Sequence, residues 1–227
     1  MKTHFEQDLN DLKARLLTMA SQAETAVHQA VDAVVNRSDA LVEQARATEA
    51  AIDALELEID ETSIHLLAKA PLATDLRLIT VTMRISQNLE RIGDEACKIA
   101  KRARDLNREV PLKQVAEIPP LSAKALEMLR NSLDCFVRAD SEGARALIPR
   151  DKEIDALNKQ VHHHLALQMA EARDTIGPAL NLMVVAKSLE RIADHAKNIA
   201  EETVFLYEAE DIRHRKKAMT DATTGGL

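Results

Sequence analysis

Apolar side chains recur in a regular pattern along most of the chain. From the N-terminus they alternate between spacings of four and three residues, at Phe5, Leu9, Leu12, Leu16, Met19, Ala23, Ala26 and Ala30. This spacing keeps one face of a helix apolar and is typical of helices that pack along a heptad seam. We predict a first helix ending near Asn36 and a second capped at Ser38-Asp39, because a serine side chain can accept a hydrogen bond from a first-turn amide. Pro71 should stop the second helix, since proline disfavours a helical residue before it.

The same plan continues through the rest of the chain. A third helix follows with a seam that ends at Leu106. The next segment, 107–120, contains three prolines and no sustained period, which is typical of a linker. A fourth helix runs through Phe136, a fifth from Ser141 to about Ala172, and a sixth begins near Pro178. Pro149 should kink the fifth helix or delay its start.

One octapeptide pattern occurs twice in the chain. Leu89-Glu90-Arg91-Ile92-Gly93-Asp94-Glu95-Ala96 is repeated as Leu189-Glu190-Arg191-Ile192-Ala193-Asp194-His195-Ala196. An internal repeat of this length indicates two units of similar structure. We therefore predict an all-α protein of two tandem three-helix bundles with six long antiparallel helices. The predicted boundaries are 1–106 for the first repeat, 107–120 for the linker, 121–207 for the second repeat and 208–227 for a flexible C-terminal tail.

Composition supports long helices and excludes several classes of function. Apolar residues make up 46% of the 227 residues but aromatic residues only 2%, and there are few glycines or prolines for turns. The net charge of −7 argues against nucleic-acid binding, which needs a basic surface. No apolar leader or 18-residue apolar run occurs, so we expect a soluble, cytoplasmic protein. Cys97 and Cys135 are expected to be reduced, buried thiols.

Acidic pairs at i and i+4 flank the second bend of each repeat. Glu90 and Asp94 lie one helical turn apart, and Glu49 and Asp53 lie almost equally far on the other side of Pro71. Folding this hairpin should bring the four carboxylates to one level. The second repeat has the equivalent acids, so the predicted site residues are Glu49, Asp53, Glu90, Asp94, Asp151, Asp155, Glu190 and Asp194. They lie off the apolar seams, so a site formed by them should open on the surface.

Two interpretations of these acids stay open from the residues alone. Crowded carboxylates repel one another, and a hard or borderline cation bound through oxygen would neutralise them. Alternatively, they form a solvated acidic face of a helical adaptor without metal. A carboxylate-bridged metal enzyme is a further alternative, although no glutamate has the histidine three residues later that is typical of buried di-iron bundles. No nucleophile elbow, phosphate loop or zinc signature occurs.

Other charged residues have simpler interpretations. His195 follows Asp194 and is expected at a surface or interface, with a contribution to a metal site as the alternative. Three consecutive histidines, 162–164, point around a helix and cannot share one metal. Arg91 and Arg191 should pair with neighbouring acids, and the basic run at 213–217 is expected to be solvated, with a partner or membrane surface as the alternative.

The repeated Leu-Glu-Arg-Ile-(Gly/Ala)-Asp pattern resembles the PhoU family. The first copy is preceded by Pro71-Leu72-Ala73-Thr74-Asp75-Leu76-Arg77, which is also similar to that family, and the resemblance extends from Phe5 to about Arg215. It implies two three-helix bundles whose (Glu/Asp)-x-x-x-Asp motifs bind multinuclear clusters of divalent or trivalent metal ions, often iron. All eight predicted positions retain an acid.

The resemblance also implies a function. PhoU proteins are cytoplasmic, non-enzymatic negative regulators of phosphate uptake and of the phosphate regulon. They contact the ATP-binding subunit of the phosphate ABC transporter and the phosphate-sensing histidine kinase. We therefore expect a homodimeric signalling adaptor that reaches the membrane only through these partners and binds no nucleic acid.

Overall fold

The structure is a computed structural model that describes residues 2–70 and 72–212. Seven α-helices form within these residues, and no strand is present among them. Their bounds are α1 Lys2–Asn36, α2 Asp39–Leu67, α3 Ala73–Leu106, α4 Ile118–Arg138, α5 Ser141–Leu147, α6 Asp151–Glu171 and α7 Ile176–Glu208. Helices α1, α2 and α3 pack on one another, and α4, α5 and α6 pack around α7. The predicted all-α fold of two three-helix bundles is confirmed.

Prolines account for two helix bounds, one as predicted and one not. Pro149 interrupts the fifth predicted helix, as expected, because a 3₁₀ turn at Ile148–Arg150 divides it into α5 and α6. Helix α4 already begins at Ile118, inside the predicted linker 107–120, because Pro119 lies in the first turn. A first-turn amide has no intrahelical partner, so proline loses nothing there. Residues 208–212 of the predicted tail 208–227 are described. The rest of the tail, which includes the basic run 213–217, lies outside the described residues.

The predicted cap of α2 is present. Ser38 precedes the helix in extended conformation, and its hydroxyl accepts a hydrogen bond from the Leu41 amide at 3.4 Å. Asp140 caps α5 in the same way, accepting from the Gly143 amide at 2.8 Å. These caps fix where each helix starts and hence the register of the acids that α2 carries.

Helices α3 and α7 join the two repeats. They run antiparallel along each other, since Arg84 of α3 contacts Glu202 near the end of α7 whereas Arg102 contacts Asn181 near its start. One continuous apolar core extends through both repeats and includes Ile52, Leu89, Leu129, Leu165 and Leu189. Each acid-bearing hairpin, α2–α3 or α6–α7, therefore has its inner helix held against the other repeat. Within the described residues, no helix has the length and apolarity that crossing a bilayer requires.

Candidate metal centres

The first acidic set consists of Glu49 and Asp53 on α2 and of Glu90 and Asp94 on α3. The two helices approach closely at this level because Gly93 has no side chain. A Cβ atom added to Gly93 would lie 3.0 Å from Ile52 Cδ1, and the Ile52 side chain is fully buried. Glycine at this point thus allows the acid-bearing faces of α2 and α3 to lie side by side.

The carboxylates of the first set act on one another across the two helices. The pKa of Glu49 is raised by partial burial and, after that, by the charges of Asp53 on its own helix and Asp94 on α3. The pKa of Glu90 is likewise raised by burial and by Asp94, with a further contribution from Asp53. The hairpin therefore brings these four acids within electrostatic reach of one another, as the matched positions in the sequence suggested.

Arg91 is the cation in contact with the first set. Its Nε lies 3.3 Å from Glu90 Oε2, and its Nη1 lies 3.4 Å from Asp94 Oδ2. The side chains of Glu90 and Asp94 are 19% and 35% exposed. The first set therefore opens to solvent, and Arg91 compensates only part of its charge.

The second acidic set consists of Asp151 and Asp155 on α6 and of Glu190 and Asp194 on α7. The pKa of Asp194 is raised by burial and then by Glu190, and Asp155 and Asp151 of the neighbouring helix raise it further. The second hairpin therefore reproduces the cross-helix arrangement of the first, with an acid of α7 in the field of two acids of α6.

Lysines pair with two of the carboxylates of the second set. Lys187 Nζ lies 2.6 Å from Glu190 Oε2, and Lys197 forms an ion pair with Asp151. The buried Asn158 donates a hydrogen bond of 2.7 Å to the same Glu190 oxygen. Two lysines therefore form ion pairs with the second set, whereas Arg91 does so with the first set, where Lys101 and Arg46 also lower the pKa of Glu49.

Sequence reasoning missed residues one turn further along the same face. Glu56 and Asp60 continue the acids of α2, and the pKa of Glu56 is raised by burial and then by Asp60 and Asp53. Glu56 also raises the pKa of Glu90. The signal was available, because the spacing of three and four residues that links Glu49 and Asp53 continues to these positions.

The carboxylates are close but are not arranged as metal ligands. In the part of the chain that the structure describes, no three His, Cys, Asp or Glu side chains are grouped so that they could hold one metal ion. Binding by either set would therefore require carboxylates to rotate and the adjacent arginine or lysines to give way. The donor chemistry fits a hard cation, because every predicted ligand is a carboxylate with surplus negative charge around it.

The remaining candidate residues take structural roles. His195 lies between α3 and α7 with Nδ1 3.0 Å from Asn88 Oδ1, which is the interface position expected for it. Arg191 pairs with Glu95, and Arg91 pairs with two acids of the first set, as predicted. Cys97 and Cys135 are free and buried, which confirms the expectation for both thiols.

Comparison with known sequences identifies the family. A sequence model described as the PhoU domain matches the chain twice, over residues 16–103 and 118–203. The chain belongs to the PhoU family. Each match contains one acidic set, so the repeat found in the sequence corresponds to two PhoU domains.

Curated relatives and solved structures agree with this assignment. The phosphate-specific transport system accessory protein PhoU homolog of Pseudomonas aeruginosa is 36% identical over 212 residues, which cover 92% of this chain and 88% of that protein. The PhoU protein of Escherichia coli K12 is 29% identical over 211 residues, with the same coverage of both chains. The names of these relatives describe accessory proteins, in agreement with the prediction that the chain is not an enzyme.

The fold comparison gives the same result. The crystal structure of PhoU from Pseudomonas aeruginosa has a TM-score of 0.86 and 35% identity and covers 91% of this chain and all of that one. The phosphate transport system regulatory protein PhoU from Streptococcus pneumoniae has a TM-score of 0.82 and 25% identity, with coverage of 92% and 99%.

Proposed function

We propose that this chain is an accessory protein of a phosphate transport system and a negative regulator of phosphate uptake and of the phosphate regulon. The first part is supported by relatives that carry this description. They are more than one third identical in sequence to this chain, and the match covers nearly their whole length. The regulatory part is supported by the name of the pneumococcal PhoU structure, which calls that protein regulatory.

In this proposal the protein is a cytoplasmic homodimeric adaptor. It contacts the ATP-binding subunit of the phosphate ABC transporter and the phosphate-sensing histidine kinase, and it reaches the membrane only through them. When phosphate is plentiful, the bridged assembly holds the kinase in its phosphatase-biased state. An all-helical fold suits this role, because long exposed helix faces offer surface to more than one partner.

The observation that carries the metal-binding part is the recurrence of a cross-helix acidic set on the outer hairpin of both PhoU repeats. Glu49, Asp53, Glu90 and Asp94 would hold metal in the first repeat, and Asp151, Asp155, Glu190 and Asp194 in the second. A bound divalent or trivalent cation, such as iron in a multinuclear cluster, would neutralise the carboxylates. Each set spans two helices, so a shared cation would link α2 to α3 and α6 to α7. Without the cation, the carboxylates of the two helices repel each other.

A metal-free adaptor is the second candidate, and specific contacts favour it. Arg91, Lys187 and Lys197 already occupy carboxylates of the two sets. Elemental analysis of protein purified without a chelator separates the candidates. Stoichiometric metal supports the first, and protein without metal that still regulates supports the second.

A deletion strain tests the regulatory role. Loss of the protein should derepress alkaline phosphatase at high phosphate, and the wild-type gene should restore repression. Unchanged repression in the deletion strain would contradict the proposal. Complementation with a Val137→Glu variant, which changes an exposed residue outside both acidic sets, controls for effects of substitution as such.

A further inference from the structure

The outer face of α2 carries an apolar stripe that no other part of the described chain covers. Leu57 and Ile64 are 70% and 62% exposed, which makes them the two most exposed large apolar side chains within residues 4–70 and 72–212. They belong to a row of exposed positions at alternating spacings of four and three residues, which we call the α2 stripe: Ala50, Ala54, Leu57, Glu61, Ile64 and Ala68.

This spacing is the one that packs a helix against another helix. The buried seam of the same helix follows the same alternation, so α2 has two seams and the bundle covers only one of them. Small alanines at both ends and two large side chains near the centre provide room and anchors for a helix laid along the stripe. Isolated exposed apolar residues need no explanation, but Leu57 and Ile64 lie seven residues apart in one row with three alanines, and apolar positions at this spacing are typical of a helix contact face.

The α2 stripe is acidic at its centre and along its edges. Glu61 lies within it, and the described residues contain no ion-pair partner for the Glu61 carboxylate. Asp53 and Asp60 lie along one edge, and Glu58, on the other edge, is paired with Arg15. A helix that covers the stripe should therefore present basic side chains among small or apolar ones.

The equivalent face of the second repeat has this chemistry. The corresponding row on α6, the α6 stripe, is also fully exposed and consists of Lys152, Ala156, Lys159, His163, Ala166 and Ala170. It contains no acid, and neither of its lysines has an ion-pair partner in the described part of the chain. Of the acids beside it, Glu153 is paired with Lys124, and Asp155 belongs to the second acidic set.

We propose that the α2 stripe of one molecule packs against the α6 stripe of a second copy. Leu57 and Ile64 would lie among the α6 alanines, and Glu61 would face lysines of the partner copy. The repeats have the same backbone plan but opposite stripe charge, so the chain carries both halves of the contact. In a two-fold dimer the contact forms twice, because each molecule offers one stripe of each kind. This inference rests on the proposed homodimer and assigns its surface.

Sedimentation equilibrium of the full chain tests the proposal with two substitutions on exposed side chains. Leu57→Glu replaces one of the two large apolar side chains of the α2 stripe with a charge, and Lys159→Glu reverses a charge in the α6 stripe. Each should raise the dimer dissociation constant by about tenfold or more. Val137→Glu, at an exposed position of α4 outside both stripes, should leave it unchanged, and circular dichroism should show the same helix content in all variants.

A mixing experiment tests the pairing itself. A homodimer of either variant has two damaged contacts, whereas a mixed dimer of Leu57→Glu with Lys159→Glu has one contact with both substitutions and one wild-type contact. An equimolar mixture should therefore associate more tightly than either variant alone. An equally weak mixture, or an effect of Leu57→Glu without one of Lys159→Glu, would overturn the α2–α6 pairing.

The other outcomes are distinguishable. A dimer that neither substitution weakens would overturn this surface and leave the proposed homodimer standing. A wild-type chain that is monomeric at all concentrations would overturn both. Neither result bears on alkaline phosphatase repression, which tests the proposed regulatory function separately.

Discussion

Glu95 of the first repeat accepts a hydrogen bond from Arg191 of the second, with 3.3 Å between Oε1 and Nη1. Glu95 is only 4% exposed although it belongs to the charged octapeptide of α3 that is repeated in α7. Lys98 Nζ lies 2.9 Å from the same oxygen. The acid next to Asp94 in sequence thus belongs to the junction between the repeats, whereas Asp94 itself faces α2.

Glu95→Ala should destabilise the protein. The substitution removes the acceptor for Lys98 and Arg191 at the α3–α7 junction, but both cations are half exposed and can turn to water. We therefore expect a loss of about 2 kcal/mol in the free energy of unfolding, below the full cost of breaking a buried pair. Chemical denaturation measures it, and an equal effect of the exposed control Glu6→Ala would contradict this assignment.

The same residue predicts a pH dependence. Burial raises the pKa of Glu95, but hydrogen bonds from Lys98, Ser188 and Arg191 outweigh it and hold the pKa below its ordinary value of 4.5. A carboxyl with a depressed pKa stabilises the fold above its unfolded value and loses this contribution as pH falls through the folded value. The stability difference between wild type and Glu95→Gln should therefore be constant at neutral pH and shrink below about pH 4.5. A difference that grows on acidification would contradict the prediction.

Ionisation of the acidic sets should lower the stability of the fold, which is opposite to the effect of ionising Glu95. The pKa of Glu49 is raised by burial and by Asp53 and Asp94, so its ionisation destabilises the metal-free fold as pH rises. In the presence of a chelator, Glu49→Gln should raise the free energy of unfolding at pH 7 by about 0.3 kcal/mol, the usual size of an exposed like-charge repulsion. The gain should disappear in acid, because a protonated Glu49 is neutral, as the glutamine of the variant is. Thermal unfolding at pH 7 and pH 4 measures both effects, and a destabilised variant at pH 7 would contradict them.

Much of the fold could be predicted because the buried faces of α1, α2 and α3 follow strict periods. The pairing of α3 with α7 could not, because most of the polar groups between them look like solvent-facing residues in a sequence, and an interface was only one of the positions expected for His195. Asn88 and His195 meet there by hydrogen bonding, and Glu202 is buried against Arg84. Hydrophobic periodicity detects apolar seams and gives no signal where two helices bury paired polar side chains.

The sequence predicted which acids form the candidate site, but only part of how the charges of the site are arranged. The matched positions of Glu49 and Asp94 followed from counting residues along a hairpin, because helical rise is constant. The positions of the compensating cations could not be predicted in this way. Lys197 lies on α7 and pairs with Asp151 of α6, and nothing in the sequence around Lys197 indicates that contact.

Lys197→Gln should increase the affinity of the second acidic set for divalent cations. Lys197 pairs with Asp151 and lowers the pKa of Asp194, so it competes with any cation that binds these acids. Titration calorimetry with Mn²⁺ should show tighter binding, by roughly the tenfold that 1.4 kcal/mol represents. The control is Lys159→Gln, which removes an exposed lysine of the same helical hairpin that contacts neither set. Weaker binding by Lys197→Gln would indicate that this lysine supports the site and does not compete with metal.

Removal of one acid from each set tests the metal centres directly. Asp94→Asn and Asp194→Asn keep the side-chain volume and remove one negative charge from the first and second set. If both sets bind metal, each variant should lose the metal of its own repeat, and the double variant should contain none by elemental analysis. The control Asp134→Asn changes an exposed acid of α4 that lies outside both sets and should retain the wild-type metal content. Metal that persists in the double variant would place the ions elsewhere, because each set would then lack one of its four predicted ligands.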